Sequence, residues 1–296
     1  MELQKLSEMV RNIHLTTPPP TEGGLREQAT SVAVSMYGRQ TVLSAPETVN
    51  LAALAISMRD KLLVHEVTKG VIQMVGETDL NYYPELPPRL LESPFLVESR
   101  GFDSPLFEDT ACLGGYWIEG TLYLIGLTGS DECLVAPIVP TWAGGEINAT
   151  DPVKPIISND PPEGLHEWSK QAMRFLIILS LLLEAEKTPI VPRVPKSLKK
   201  AQKKAQKKRP EAGSWSVTRL YVDAQYERRA NASSGEHGSD PEHSGKTAVV
   251  VPVRGFLRRQ AYGPGRQARK WIYVEGFQAR RWITPQPVKR IISIHR

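Results

Sequence analysis

Cysteine is nearly absent: Cys112 and Cys133 are the only two in 296 residues. Small exported scaffolds lean on larger, closely spaced sets, so a disulfide framework is excluded and a reducing cytoplasm is the expected compartment. Long apolar runs are missing as well. The longest, 172–183, is broken by Arg174 and Ser180 and falls short of the roughly 20 residues that span a bilayer. The opening stretch, MELQKLSEMVRNIHL, mixes charges with apolar residues and has no continuous apolar core, which argues against a signal peptide. No membrane contact is expected.

The signatures of cofactor chemistry are missing too. Residues 243–247 read His-Ser-Gly-Lys-Thr, but Asp240 stands where a nucleotide-binding phosphate loop needs its first glycine, and no buried strand leads in. The two cysteines stand alone, and His237 and His243 lack a second pair of metal ligands. No Gly-x-Ser-x-Gly elbow occurs, so a serine hydrolase has no support. The expectation is a chain without cofactor, metal or assigned catalytic residue.

What the chain has is charge, unevenly placed. Residues 196–209 carry eight basic side chains and no acid, a local +8. From Ala248 onward eleven arginines and lysines face one acid, Glu275, giving +10. Because the whole chain is only +5, the remainder holds −13. Such opposition within one chain implies different partners for its parts, and a polyanion is the natural one for the basic end.

Pattern and punctuation give an α+β chain: N-terminal helices plus an antiparallel sheet, followed by a small basic β-rich C-terminal module. Leu3, Leu6, Met9, Val10 and Ile13 fall at helical spacing before the prolines at 18–20, and residues 47–67 read as helical with an acid in the opening turn. Short runs between prolines, such as 95–98, suit strands; 116–127 reads as a hairpin turning at Gly120, and 133–139 as a further strand. That succession is a meander and not alternating βαβ units. Residues 164–186 return to helix, with an apolar run to lay on the sheet. The boundaries follow: an α+β domain over 1–188, a Pro/Lys-rich linker over 189–213, and a basic β-rich module over 214–296 with a Ser/Gly-rich loop at about 230–246. Strands are expected at 214–226, 248–253, 270–274 and 281–283.

The densest chemistry lies at 254–271. Arg254, Arg258, Arg259, Arg266, Arg269 and Lys270 supply phosphate-binding charge, Gln260 a side-chain amide, and Tyr262 and Trp271 rings on which unpaired bases stack. Gly263 and Gly265 let backbone N–H groups approach a phosphate closely. Arg280 and Arg281 extend the set. Lys199, Lys200, Lys203, Lys204, Lys207 and Lys208 repeat with a four-residue period, which helical winding gathers into a secondary basic stripe. The reading is an RNA-binding surface; the alternatives are rings filling a small core beside solvated arginines, and a lysine tether. A ribonuclease would need a general base, for which His295 and Glu275 are the available groups. Exposed strands of the first domain could accept an extended peptide by edge addition, although Phe95, Trp117 and Tyr123 suit core packing equally well.

The tail from Val253 to Val274, VRGFLRRQAYGPGRQARKWIYV, resembles the C-terminal motif of a phage- and plasmid-encoded family that includes a type V-A anti-CRISPR protein. The order Leu86-Pro87, then Pro94-Phe95-Leu96-Val97-Glu98, then an apolar helix over 176–183, is similar to the layout of its longer N-terminal part. The resemblance implies a regulator in a bacterial host that recognises the emerging N-terminal peptide of a defence nuclease and lowers the message under translation. The first domain would then select a polypeptide while the tail sits on mRNA or ribosomal RNA. The family pattern has a histidine where this chain has Phe256, which counts against histidine catalysis there. The expected function is that of an adaptor, against two alternatives: a protein-binding inhibitor that never touches nucleic acid, and a ribonuclease.

Overall fold

The computed structural model describes residues 24–44, 47–58, 61–80, 82–99, 105–128, 133–140, 142, 145–146, 153–155, 164–194, 214–223 and 247–283. The helix expected at 1–14, the lysine stripe and the 230–246 loop lie outside them.

The fold is α+β. Its frame is an eight-stranded sheet whose strands lie in the order β10 (Ile190–Arg193), β11 (Ser214–Val222), β1 (Lys61–Val67), β4 (Phe95–Ser99), β5 (Thr110–Ile118), β6 (Thr121–Thr128), β7 (Cys133–Pro140) and β9 (Val153–Pro155). The meander read from sequence is its right half: β4 (Phe95–Ser99), β5 (Thr110–Ile118), β6 (Thr121–Thr128) and β7 (Cys133–Pro140) pair antiparallel in succession. The β5/β6 turn falls at Glu119 and Gly120, both at positive φ (47° and 79°), the twist a two-residue hairpin demands.

The left half departs from expectation. The helix expected over 47–67 ends at Ser57, and Lys61–Val67 forms strand β1. A strand covered on both faces loses the apolar alternation that would mark it, so its pattern matches that of a buried helix. Strand β1 pairs parallel with β4 on one side and with β11 (Ser214–Val222) on the other, which makes the sheet mixed, not purely antiparallel. Strand β11 also pairs with β10 (Ile190–Arg193), so the segment that opens the expected C-terminal module lies inside the large sheet. Strand β9 (Val153–Pro155) closes the far edge.

Each face of the sheet carries its own core. On one side lie α1 (Leu25–Tyr37), α2 (Arg39–Ser44) and α3 (Glu47–Ser57), packed on Val64, Leu96, Cys112, Ile125 and Val217. On the other lie α4 (Lys69–Glu77) and α5 (Leu165–Glu184), over Val67, Phe95, Val97, Leu113 and Leu124. Helix α5 buries Leu165, Trp168, Ala172, Phe175, Leu176, Leu179 and Leu182, the three- and four-residue spacing of a sheet-facing stripe. Truncating one such residue, Leu176, to alanine costs about 2–5 kcal/mol.

The C-terminal strands form β12 (Thr247–Val253) with β15 (Phe277–Ile283), and β13 (Phe256–Tyr262) with β14 (Ala268–Val274). Strand β13 lies within the stretch read as a binding segment. It adds in parallel to the short β2 (Asp79–Leu80), and Asp79 N–H donates to Gly255 O at 3.0 Å. Leu257 and Tyr273 are buried in the same core as α5. The hairpin is thus docked on the first domain by shared apolar surface and backbone pairing.

Candidate nucleic-acid interface and adjoining clefts

The register of β13 and β14 decides which predicted side chains meet. Leu257 opposes Tyr273, Arg259 opposes Trp271 and Ala261 opposes Arg269; the next row sets Arg258 against Ile272 and Gln260 against Lys270. Successive side chains point to opposite faces. Arg259, Arg269 and Trp271 therefore share the face that Leu257 and Tyr273 press into the core, whereas Arg258, Gln260, Tyr262 and Lys270 share the other. The predicted set is divided between two faces.

Acids of the first domain take up two of its charges. Arg259 makes a two-point contact with Glu85, Nη1 to Oε1 at 2.7 Å and Nη2 to Oε2 at 3.0 Å. Lys270 Nζ reaches Glu186 Oε2 at 2.6 Å and also stands 5.2 Å from the centre of the Tyr262 ring. Glu186 is held in place by its backbone: its N–H donates to Trp271 O at 3.1 Å. The guanidinium of Arg258 donates to Gln260 Oε1 at 2.8 Å.

The hairpin tip keeps its charge open. Gly263 (φ 78°) and Gly265 (φ 65°) take backbone conformations that cost a side-chain-bearing residue about 1 kcal/mol or more, and Arg266 sits beside them at φ 55°. Arg266 N–H closes the turn on Gly263 O at 3.1 Å. Residues 262–269 are exposed apart from the turn's own contacts, and Arg254, where β12 meets β13, is exposed too. Arg280 and Arg281 lie on β15, but their side chains fall outside the described residues, as do the six lysines of the stripe and His295. Glu275, the other group considered for catalysis, is exposed between β14 and β15.

Two adjoining clefts, one of them against the hairpin, were not found by sequence reasoning. One, of about 270 Å³, lies between the proline strap 84–88 and the inner hairpin face, lined by Glu85, Arg259, Arg269 and Trp271. The other, of about 510 Å³, is walled by Leu90, Pro94, Phe95 and Leu183, with His65 on its lining. They meet at Arg89 and Glu184, which line both. A 3-10 turn, Arg89–Leu91, is fixed there by α5: Arg89 N–H donates to Glu184 Oε1 at 2.8 Å, and Leu90 N–H to Ser180 Oγ at 3.0 Å. Ser180 Oγ in turn donates to the same Oε1 at 3.0 Å. Burial lowers the pKa of His65, whose Nδ1 has no exposed surface and no hydrogen-bond partner. In the sequence the prolines at 84, 87 and 88 mark the end of the helices and, as Leu86-Pro87, part of the family layout; that they frame a cleft depends on α5 and β14, far away in the chain.

Among the described residues, no group of three His, Cys, Asp or Glu side chains is placed to hold a metal, and no helix is long and apolar enough to cross a membrane.

The family described as AcrVA2-like, anti-CRISPR type V subtype A2, matches residues 88–277, from the proline strap through the basic hairpin. The chain belongs to this anti-CRISPR family, and its function class is anti-defence. A solved structure reported as "Crystal structure of AcrVA2" is similar at 11% identity and a TM-score of 0.38, over 95% of this chain and 93% of that one. No curated protein matches the chain.

Proposed function

We propose that this anti-defence protein works as an adaptor in the bacterial cytoplasm. Its α+β body holds a target polypeptide, its hairpin tip touches RNA, and the pairing of the two lowers expression of the target. The observation that carries the RNA half is the hairpin tip, where Arg266 and Arg269 are exposed and make no ion pair among the described residues, beside exposed Tyr262 and a glycine turn. Guanidinium forks and a ring on a flat, open turn suit phosphates and unpaired bases. The contact surface is accordingly Arg258, Gln260, Tyr262, Gly263, Gly265 and Arg266, with Arg254, Arg269, Arg280 and Arg281 as outlying charge. Arg259, Lys270 and Trp271 contribute through docking. The lysines at 199–208 add nonspecific, salt-sensitive attraction.

The test is a gel shift of the purified chain with single-stranded and duplex RNA across a salt series, beside affinity purification with and without nuclease. Salt-sensitive binding to RNA, and partners that vanish on nuclease treatment, support the reading. Salt-insensitive or absent binding overturns it.

A second reading is favoured by the neutralisation of Arg259 and Lys270: a protein-binding inhibitor with no nucleic-acid contact. It predicts partners that survive nuclease treatment. Cleavage of RNA by the purified chain, lost in His295→Ala, would instead point to a ribonuclease.

A further inference from the structure

We propose that the two clefts joined at Arg89 and Glu184 form one groove for an extended polypeptide, and that the larger cleft takes a tyrosine side chain whose phenolic oxygen accepts a hydrogen bond from His65 Nε2. The inference rests on the polypeptide reading above and names the site and the side chain.

Charge selects the class of occupant. Glu85, Glu92 and Glu184 stand along the groove. Glu85 is paired with Arg259, and Glu92 and Glu184 stand with Arg89 and Arg269, so the groove has no net charge to hold a strand of phosphates, which would still have to pass three carboxylates. A peptide backbone, neutral and carrying both donors and acceptors, has no such conflict. Glu184 uses Oε1 for Arg89 N–H and Ser180 Oγ–H, which leaves Oε2 to accept a backbone N–H. The Arg89 guanidinium, exposed at the junction, is placed to donate to a backbone carbonyl.

The larger cleft then selects the side chain. Leu90, Pro94, Phe95 and Leu183 make apolar walls in a space of about 510 Å³, which admits an aromatic side chain together with its backbone. His65 projects from the central strand β1 onto that lining. A dry nitrogen with no acceptor nearby is better left as a bare lone pair than as an orphaned N–H, so the proton belongs on Nε2, the nitrogen left to face the cleft. The lowered pKa favours the neutral ring at pH 7. A ligand that fills these walls and ends in an acceptor satisfies the donor. Phenylalanine fills the walls but leaves the N–H unanswered, and losing such a buried hydrogen bond costs about 1–3 kcal/mol, roughly 5- to 150-fold in affinity.

The test is NMR on the full chain with 15N-labelled histidine, titrated separately with N-acetyl-tyrosinamide and N-acetyl-phenylalaninamide. Expected is a saturable shift of His65 Nε2 with the tyrosine derivative, binding at least fivefold tighter than the phenylalanine derivative. Glu184→Gln, at an exposed helix end, keeps the fold and weakens the tyrosine derivative. Equal affinities, or no saturable shift at His65, overturn the proposal. Saturable shifts elsewhere with none at His65 overturn this site and leave the polypeptide reading standing; peptides captured by the chain with no tyrosine preference do the same.

Discussion

Arg259 and Glu85 lie 174 residues apart in the chain and meet through two parallel hydrogen bonds of 2.7 and 3.0 Å. The guanidinium holds the Glu85 carboxyl below the usual carboxylate range, first by the hydrogen bond and then by its charge. A depressed carboxyl stays ionised, and the pair stays closed, until pH falls below the ordinary carboxylate value. At neutral pH a polyanion therefore meets Arg259 with an ionised carboxylate already beside it. Glu85→Gln is expected to tighten RNA binding and steepen its salt dependence, by about 0.7 in log–log slope per added single-strand phosphate contact. Arg259→Ala in the parent chain is expected to change affinity little. Fluorescence anisotropy with a labelled oligoribonucleotide at several salt concentrations decides between them, and weaker binding by Glu85→Gln would contradict the paired-charge account.

Arg266 and Arg269 should behave oppositely. Both are exposed at the hairpin tip, so replacing them by alanine removes charge without disturbing the core. The double variant is expected to lose at least tenfold in RNA affinity and to flatten the salt slope by roughly 1.4, two single-strand contacts' worth. Its urea unfolding midpoint should match the parent's. An unchanged slope would show that the RNA contact, if any, lies elsewhere.

Legibility from sequence tracked how local the determinant was. The meander from Phe95 to Pro140 was readable because alternation, proline punctuation and the Gly120 turn are properties of neighbours in the chain. Helix α5 was readable from its apolar stripe. Strand β1 was not, since its pairing on both sides comes from β4 and from β11, more than 150 residues on. The basic hairpin announced its composition, but which arginines remain open depends on Glu85 and Glu186, whose approach no local pattern encodes. The clefts failed to show for the same reason: His65, Arg89 and Glu184 are each unremarkable until the sheet and α5 bring them together.

Gly126 offers a packing test of the sheet–helix contact. A Cβ there would lie 2.2 Å from Cζ2 of Trp168, whose ring is pinned by the 2.8 Å hydrogen bond from Nε1 to Thr110 Oγ1. The indole cannot swing aside without losing that bond inside the core. Gly126→Ala is expected to destabilise the fold by about 1–3 kcal/mol, as overpacking does. In a Trp168→Phe background the same substitution should cost less, because the smaller ring vacates the clash. Equal costs in the two backgrounds, read by urea denaturation, would disconnect Gly126 from Trp168.

His65 ties stability to pH. Its pKa is lowered by burial, so between the folded value and the ordinary value of 6.5 the unfolded chain binds a proton that the folded chain does not. Stability is fully present above that window and falls as pH drops through it. Urea midpoints measured from pH 7.5 down to 5.0 should decline, and His65→Gln should remove part of the decline. A variant whose slope matches the parent's would acquit His65.

The two cysteines carry the last prediction. Cys112 on β5 and Cys133 on β7 both pair with Leu127 on the intervening β6, one from each side. Two strand spacings put their Cα atoms about 10 Å apart, whereas a disulfide requires roughly 4.4–6.8 Å. Bridging them would mean expelling β6 from the middle of the sheet. Burial, with the Glu47 carboxylate adding to it, also pushes the Cys133 thiol up to about 11, which leaves almost no thiolate at pH 8. The native chain is therefore expected to react slowly with a thiol reagent at pH 8, and to titrate as two free thiols once denatured, even after storage in air without reductant. Recovery of fewer than two thiols from a monomeric sample would mean that β6 can leave its place.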